Sequence, residues 1–275
     1  MSTISVRESI SKVIENPWRF VRLRSLAMCL KLFQMPISLK DIIKKCNQPG
    51  FIPRTAFLEI DMMQGTAFPP DEHLFENRLH TLQDIFLQAG IVLDIRLDEN
   101  NVPDLSGPDG TYTDAELDNL VLAHRNPNFR ATLNKMSAYL IVATQNDRHD
   151  LGVLINTRLR LGCAVFHNEA LINTDDLAFL RTTAHEVGHQ FNLHHEDGAT
   201  YNENGITKLS IMNQTRVIQD SSSGWPNGVG LTFRENERKH LSSHQKRYVE
   251  PAVFGAVFYK CNAEHEFWHD NIINE

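Results

Sequence analysis

His185-Glu186-Val187-Gly188-His189-Gln190-Phe191-Asn192-Leu193-His194-His195 is the stretch from which the rest of this chain can be read. Residues four apart on a helix lie one above the other, so His185 and His189 direct their imidazoles to one point. Glu186 sits one step round the helix, beside that point. This is the spacing of a two-histidine metal site with a neighbouring carboxylate base. Leu177, Leu180, Ala184, Val187 and Phe191 fall on the opposite face, which can seat the helix against a sheet. Catalytic zinc takes three protein ligands and keeps a fourth position for water. His195 lies six residues beyond His189 and would leave the ligand face of a straight helix. Asn192 offers the turn, because asparagine tolerates the left-handed conformation better than any residue except glycine. A break there would swing His195 back onto the metal. His194, and the downstream acids Glu203 and Glu235, are the alternatives for the third ligand.

Upstream, the pattern is that of an α/β chain. The spacing predicts a strand over 56–63, and a helix opened by Pro69-Pro70-Asp71 with Phe75, Leu79, Leu82 and Phe86 on one face and Gly90 as its C′ residue. Ile91, Leu93, Ile95 and Leu97 alternate with Asp94, Arg96 and Asp98, as in a half-buried strand. Thr113 and Glu116 make a capping box for a helix to His124. A run of buried-strand length follows at 139–143, with two more strands at 152–155 and 162–167, and the helix carrying His185 and His189 starts near 174–176. Downstream, Thr232 and Glu235 form a second capping box for a helix through Leu241. The expected fold is α/β, a mixed twisted sheet with an active-site helix and a C-terminal helical subdomain.

Residues 1–53 read as a separate helical region. Val6, Ile10, Val13 and Ile14 recur at helical spacing, Pro17 interrupts, a second apolar stretch covers 20–33, and a loop with Pro49, Gly50 and Pro53 marks the boundary. The expected division is therefore a helical region over 1–53 and a second domain, carrying the histidine stretch, over 54–275. The chain has 275 residues, 41% of them hydrophobic, enough to bury a core. A formal charge of −7 argues against nucleic acid as a partner, which calls for a basic patch. No apolar run approaches the roughly 18–20 residues of a membrane span. Arg19, Arg22 and Arg24 precede too short an apolar run (25–30) for a clear signal peptide. Cytoplasm is the default location, with export by another route left open. Four scattered cysteines (Cys29, Cys46, Cys163 and Cys261) fit reduced thiols or one bridge.

The histidine stretch, with Ser210-Ile211-Met212-Asn213 downstream and Met212 seventeen residues after His195, resembles the metzincin zinc metallopeptidases. Their pattern is HExxHxxGxxH with a methionine turn beneath the metal, and Asn192 stands here in the glycine place. Glu196 follows the third histidine as a glutamate does in astacin-like members, but Gln214 stands where those members carry tyrosine, so no subfamily is assigned. The resemblance spans roughly residues 55–245 and implies a zincin-like catalytic fold. It implies one catalytic zinc ion on His185, His189 and His195, Met212 as apolar floor, and hydrolysis of peptide bonds in a protein or peptide substrate. Glu186 would be the general base, acting on a water whose pKa zinc lowers to about 7. It further implies that substrate pairs with an edge strand just before the active-site helix, which maps onto 162–166, with a side-chain pocket walled by 214–225.

Two further features bear on function. Cys46-Asn47-Gln48-Pro49 shares its cysteine and proline with the pro-segment switch of the matrixins, in which a thiolate on zinc displaces the catalytic water. An inert cysteine is the plainer reading. A second HExxH, His265-Glu266-Phe267-Trp268-His269, has no third histidine after it and reads as chance. The rival functions are a zinc-bearing binding or effector module without catalysis, and a HExxH hydrolase with an acidic third ligand. Retention of Glu186 speaks against the first, since a structural zinc site needs no base. The sequence leaves oligomeric state and natural substrate open.

Overall fold

The computed structural model describes residues 54–68, 73–75, 78–106, 110–126, 135–155, 161–169, 172, 176–195, 200–203, 206–213, 230–243 and 249. All fall in one compact unit, Lys45–Glu275. The expected N-terminal region with Cys46 and Pro49, the 214–225 wall, Glu196 and the second HExxH lie outside the described residues.

In chain order the elements are β1 (Arg54–Met63), β2 (His73–Phe75), β3 (Arg78–His80), α1 (Leu82–Gln88), β4 (Ile91–Val102) and α2 (Asp114–His124). There follow β5 (Lys135–Ala143), β6 (Gly152–Ile155), β7 (Gly162–Phe166), α3 (Asp176–Gln190), β8 (Thr200–Glu203), β9 (Ile206–Leu209) and α4 (Glu235–Ser243). A five-stranded sheet runs in the order β4-β1-β5-β7-β6. β1 is parallel to β4 and β5, β5 is parallel to β7, and β6 alone is antiparallel, against β7. The mixed α/β class expected from the sequence is the one the chain forms.

The apolar runs explain why the sheet is covered on both sides. Met136, Ala138, Leu140 and Val142 of β5 pack on one face with Ala56, Leu58 and Ile60, beneath Ile85 and Phe86 of α1 and Leu180, Ala184 and Val187 of α3. Tyr139, Ile141 and Ala143 point the other way, against Leu117, Leu120 and Val121 of α2. Fully burying such side chains stabilises the fold by about 1.5–3 kcal/mol each. Phe86 meets Phe191 at 5.9 Å and Phe233 at 5.2 Å between ring centroids, tying the end of α3 to the chain entering α4. The one described cysteine, Cys163, is free and buried, and burial pushes its thiol well up, as suits an inert core residue.

Several expectations held locally. Thr113 and Glu116 form both bonds of the capping box ahead of α2, and Gly90 follows α1 at φ +81°. Three need correction. Residues 71–86 do not form one helix: β2 and β3 pair as an antiparallel hairpin, and α1 begins only at Leu82. Thr81 is the cause, because its backbone is extended and its hydroxyl accepts the Asp84 N–H, starting the helix there. Thr232 does not cap α4: its hydroxyl donates to Gln88 Oε1, while Glu237 reaches back to the Arg234 N–H. Finally, β7 is not an edge strand. It is held between β5 and β6 by backbone pairing on both sides, so among the described residues its antiparallel partner β6 takes the edge. No helix among the described residues is long and apolar enough to cross a membrane.

Candidate metal centre

The last residue of α3 is fastened to the sheet. The Gln190 carboxamide accepts the Tyr139 N–H at 2.9 Å and donates to the Tyr139 carbonyl at 2.9 Å, completing a backbone pair on β5. Immediately beyond, Asn192 adopts φ +65°, in the left-handed region. The Leu193 N–H bonds to Gly188 O (3.1 Å) and the Asn192 N–H to His189 O (3.0 Å), the two bonds of a Schellman end. The chain therefore reverses where the sequence had placed the turn.

That reversal brings His195 back to the helix. The Nε2 atoms of His185, His189 and His195 lie 3.0 Å from one another, a triangle of imidazole nitrogens. His189 stands at 88° to His185 and at 75° to His195, so ring edges meet there and faces do not stack. His185 Nδ1 lies 2.8 Å from Ile211 O and His189 Nδ1 lies 2.7 Å from Leu193 O. A carbonyl can only accept, so in both rings Nδ1 carries the hydrogen, and in a neutral ring Nε2 then presents its lone pair. Burial first, and His195 next, hold the His185 imidazole down to about 3, so it is neutral at ordinary pH. Converging lone pairs repel one another unless a cation lies among them. Nitrogens bound at about 2.0–2.1 Å in a tetrahedral zinc site stand roughly 3.3 Å apart, close to the separation here. The donor set, tautomers and spacing fit a divalent metal ion, and among the described residues this trio is the cluster that could hold one.

The alternatives for the third position separate from it. His194 is buried but is not part of the trio. Glu235 is exposed in the first turn of α4 and pairs with Lys239 at 3.0 Å. Glu203 lies in β8.

Glu186 is buried beside the trio on α3, and burial, with Asp150 adding to it, raises its carboxyl well above the usual range. Its side chain lies against the edge strand: a Cβ on Gly152 of β6 would stand 2.7 Å from Glu186 Cγ. Met212 lies in a tight turn closed by the Asn213 N–H to Ser210 O at 3.1 Å. Its sulfur occupies the space over Gly188, where a Cβ would stand 2.8 Å from it. Only a residue without a side chain at 188, immediately before His189, permits that approach.

Sequence reading missed the partners that orient these groups. Arg181, one turn ahead of His185, is fully buried and donates to Ser210 O at 2.9 Å. Ser210 Oγ in turn donates to the buried Glu237. A charged residue four before His185, between Leu180 and Ala184, was the available signal. The backbone acceptors Ile211 O and Leu193 O left none, because any residue type supplies a carbonyl. Comparison with protein-family models and with the curated proteins finds no match to this chain.

Proposed function

We propose that this chain is a zinc-dependent metallopeptidase of the metzincin type, cutting peptide bonds within proteins or peptides. The observation that carries the reading is the Nε2 triangle of His185, His189 and His195, with Nδ1 of both helical histidines tied to carbonyls. His185, His189 and His195 would hold the ion. When bound, zinc supplies Lewis acidity, polarising a carbonyl and lowering the pKa of a water to about 7.

The rest falls to the chain. Glu186, whose carboxyl holds a proton more firmly than an ordinary glutamate, suits a group that must take a proton from water and deliver it to a leaving amine. Contact with Gly152 limits where that carboxyl can lie. The outer edge of β6 pairs with no other strand among the described residues, so its N–H and C=O groups can bond an extended peptide next to Glu186. This moves the substrate edge from 162–166 to Gly152–Ile155. Met212, packed on Gly188, supports the helix turn between the two histidines.

The test is a digest of a mixed peptide library by zinc-loaded protein, with and without chelator, beside the Glu186→Gln variant. The expected result is cleavage that chelator abolishes and that the variant lowers by about 10²–10⁴-fold while retaining zinc. A variant that binds zinc and cuts as well as wild type would remove Glu186 from the mechanism. Zinc binding without cleavage in the wild type would favour a binding module.

A further inference from the structure

Arg181 stands on the same face of α3 as the two helical histidines, since 181, 185 and 189 are four apart. No part of it reaches solvent. Burial pulls its guanidinium down to about 9, so it still carries its charge at neutral pH. Such a charge works against a cation held one turn away, and it lowers the affinity of His185 for a proton. The charges of Glu237 and Tyr201 favour the guanidinium only in part, since burial outweighs them. Packing does not explain an arginine here either, because an apolar side chain of similar volume fills such a position at least as well.

Its hydrogen bonds do explain it. One terminal nitrogen bonds to Ser210 O at 2.9 Å and lies 3.5 Å from Asn213 O. Those carbonyls are the two ends of the turn whose second residue, Ile211, accepts the Nδ1–H of His185 at 2.8 Å. Ser210 is fixed from its other side as well: its hydroxyl donates to Glu237, and the Met212 N–H approaches that hydroxyl at 3.4 Å. The helix thus grips, through Arg181, the loop that orients its own histidine.

We propose that Arg181 is a positioning residue for the metal centre, clamping the 210–213 turn so that the Ile211 carbonyl stays on His185 Nδ1. The role in metal binding rests on the three-histidine reading above, but the effect on His185 is measurable without metal. Removing partners that orient metal-binding histidines costs about 10–100-fold in metal affinity.

The experiment compares full-length wild type with Arg181→Met and Arg181→Lys. It records the His185 ring tautomer in metal-free protein by nitrogen-proton correlation, and then the dissociation constant and visible spectrum of cobalt(II). Wild type should show a single Nδ1–H tautomer and one tetrahedral cobalt. Arg181→Met should fold, show His185 exchanging between tautomers, and bind cobalt about 10–100-fold more weakly. Arg181→Lys keeps the charge but ends in an ammonium on a shorter stem, in place of the guanidinium nitrogen that meets both carbonyls, and should move both readouts the same way; it decides the matter if the methionine variant does not fold. A wild-type tautomer and affinity within twofold in the variants would overturn the proposal. So would weaker cobalt binding with the tautomer unchanged, which marks a role in stability alone. Failure of the wild type to bind cobalt would count against the metal reading, and the tautomer comparison would still decide the case of Arg181.

Discussion

At the scale of single residues, the account turns on Asn192. A left-handed backbone costs a residue with a β-carbon about 1–2 kcal/mol, less for asparagine and most for β-branched side chains. Its φ of +65° both returns His195 to the helix and sets the Leu193 carbonyl on His189 Nδ1. Asn192→Gly should stay within about 1 kcal/mol of wild-type stability, because glycine accepts that backbone freely. Asn192→Val should lose about 2 kcal/mol and bind zinc at least tenfold more weakly. Urea unfolding and a zinc titration measure both. The convergence of the three histidines, the place of Glu186 beside them and the turn were legible because a fixed offset along the chain is written in the sequence. Arg181, Gln190 and Gly152 were not, since their roles depend on which strand or loop arrives opposite them.

At the scale of elements, helix caps and buried strands could be read wherever the signal is local. Thr113 and Glu116 are three residues apart and behave as their spacing requires. The edge strand was misread because neighbourhood in sequence does not fix neighbourhood in a sheet: β7 precedes α3, yet its antiparallel partner β6 takes the outer position. The hairpin of β2 and β3 was misread because apolar residues at 75, 79, 82 and 86 satisfy a helical period that Thr81 interrupts. The join between α4 and the methionine turn gives a pH test. Burial raises the Glu237 carboxyl to about 7, in the company of Ser210, Arg181 and Arg234. The folded state then binds a proton that the unfolded chain releases near 4.5. The stability from this group is complete below about 4.5 and is lost as pH rises through about 7. Between those values wild type should lose roughly 2–3 kcal/mol more than Glu237→Gln, read from urea midpoints of metal-free protein.

At the scale of the whole molecule, a sheet covered by helices on both faces supplies a rigid wall, and the histidine helix is fastened to it by burial and by the Gln190 carboxamide on Tyr139. Rigidity at that wall would suit the proposed metal centre, which tolerates errors of about half an ångström in its ligands. The class of fold was legible from the runs of apolar residues; the strand order was not, because it is set by long-range pairings such as Leu140 with Cys163. Everything proposed about chemistry depends on three imidazoles sharing one ion. Zinc-edge X-ray absorption on the full-length protein, after loading and dialysis, tests this most directly. The account expects one retained zinc per chain with three imidazole nitrogens and one oxygen at about 2.0–2.1 Å. Zinc washed away by dialysis, a sulfur ligand, or fewer than three imidazoles would contradict it.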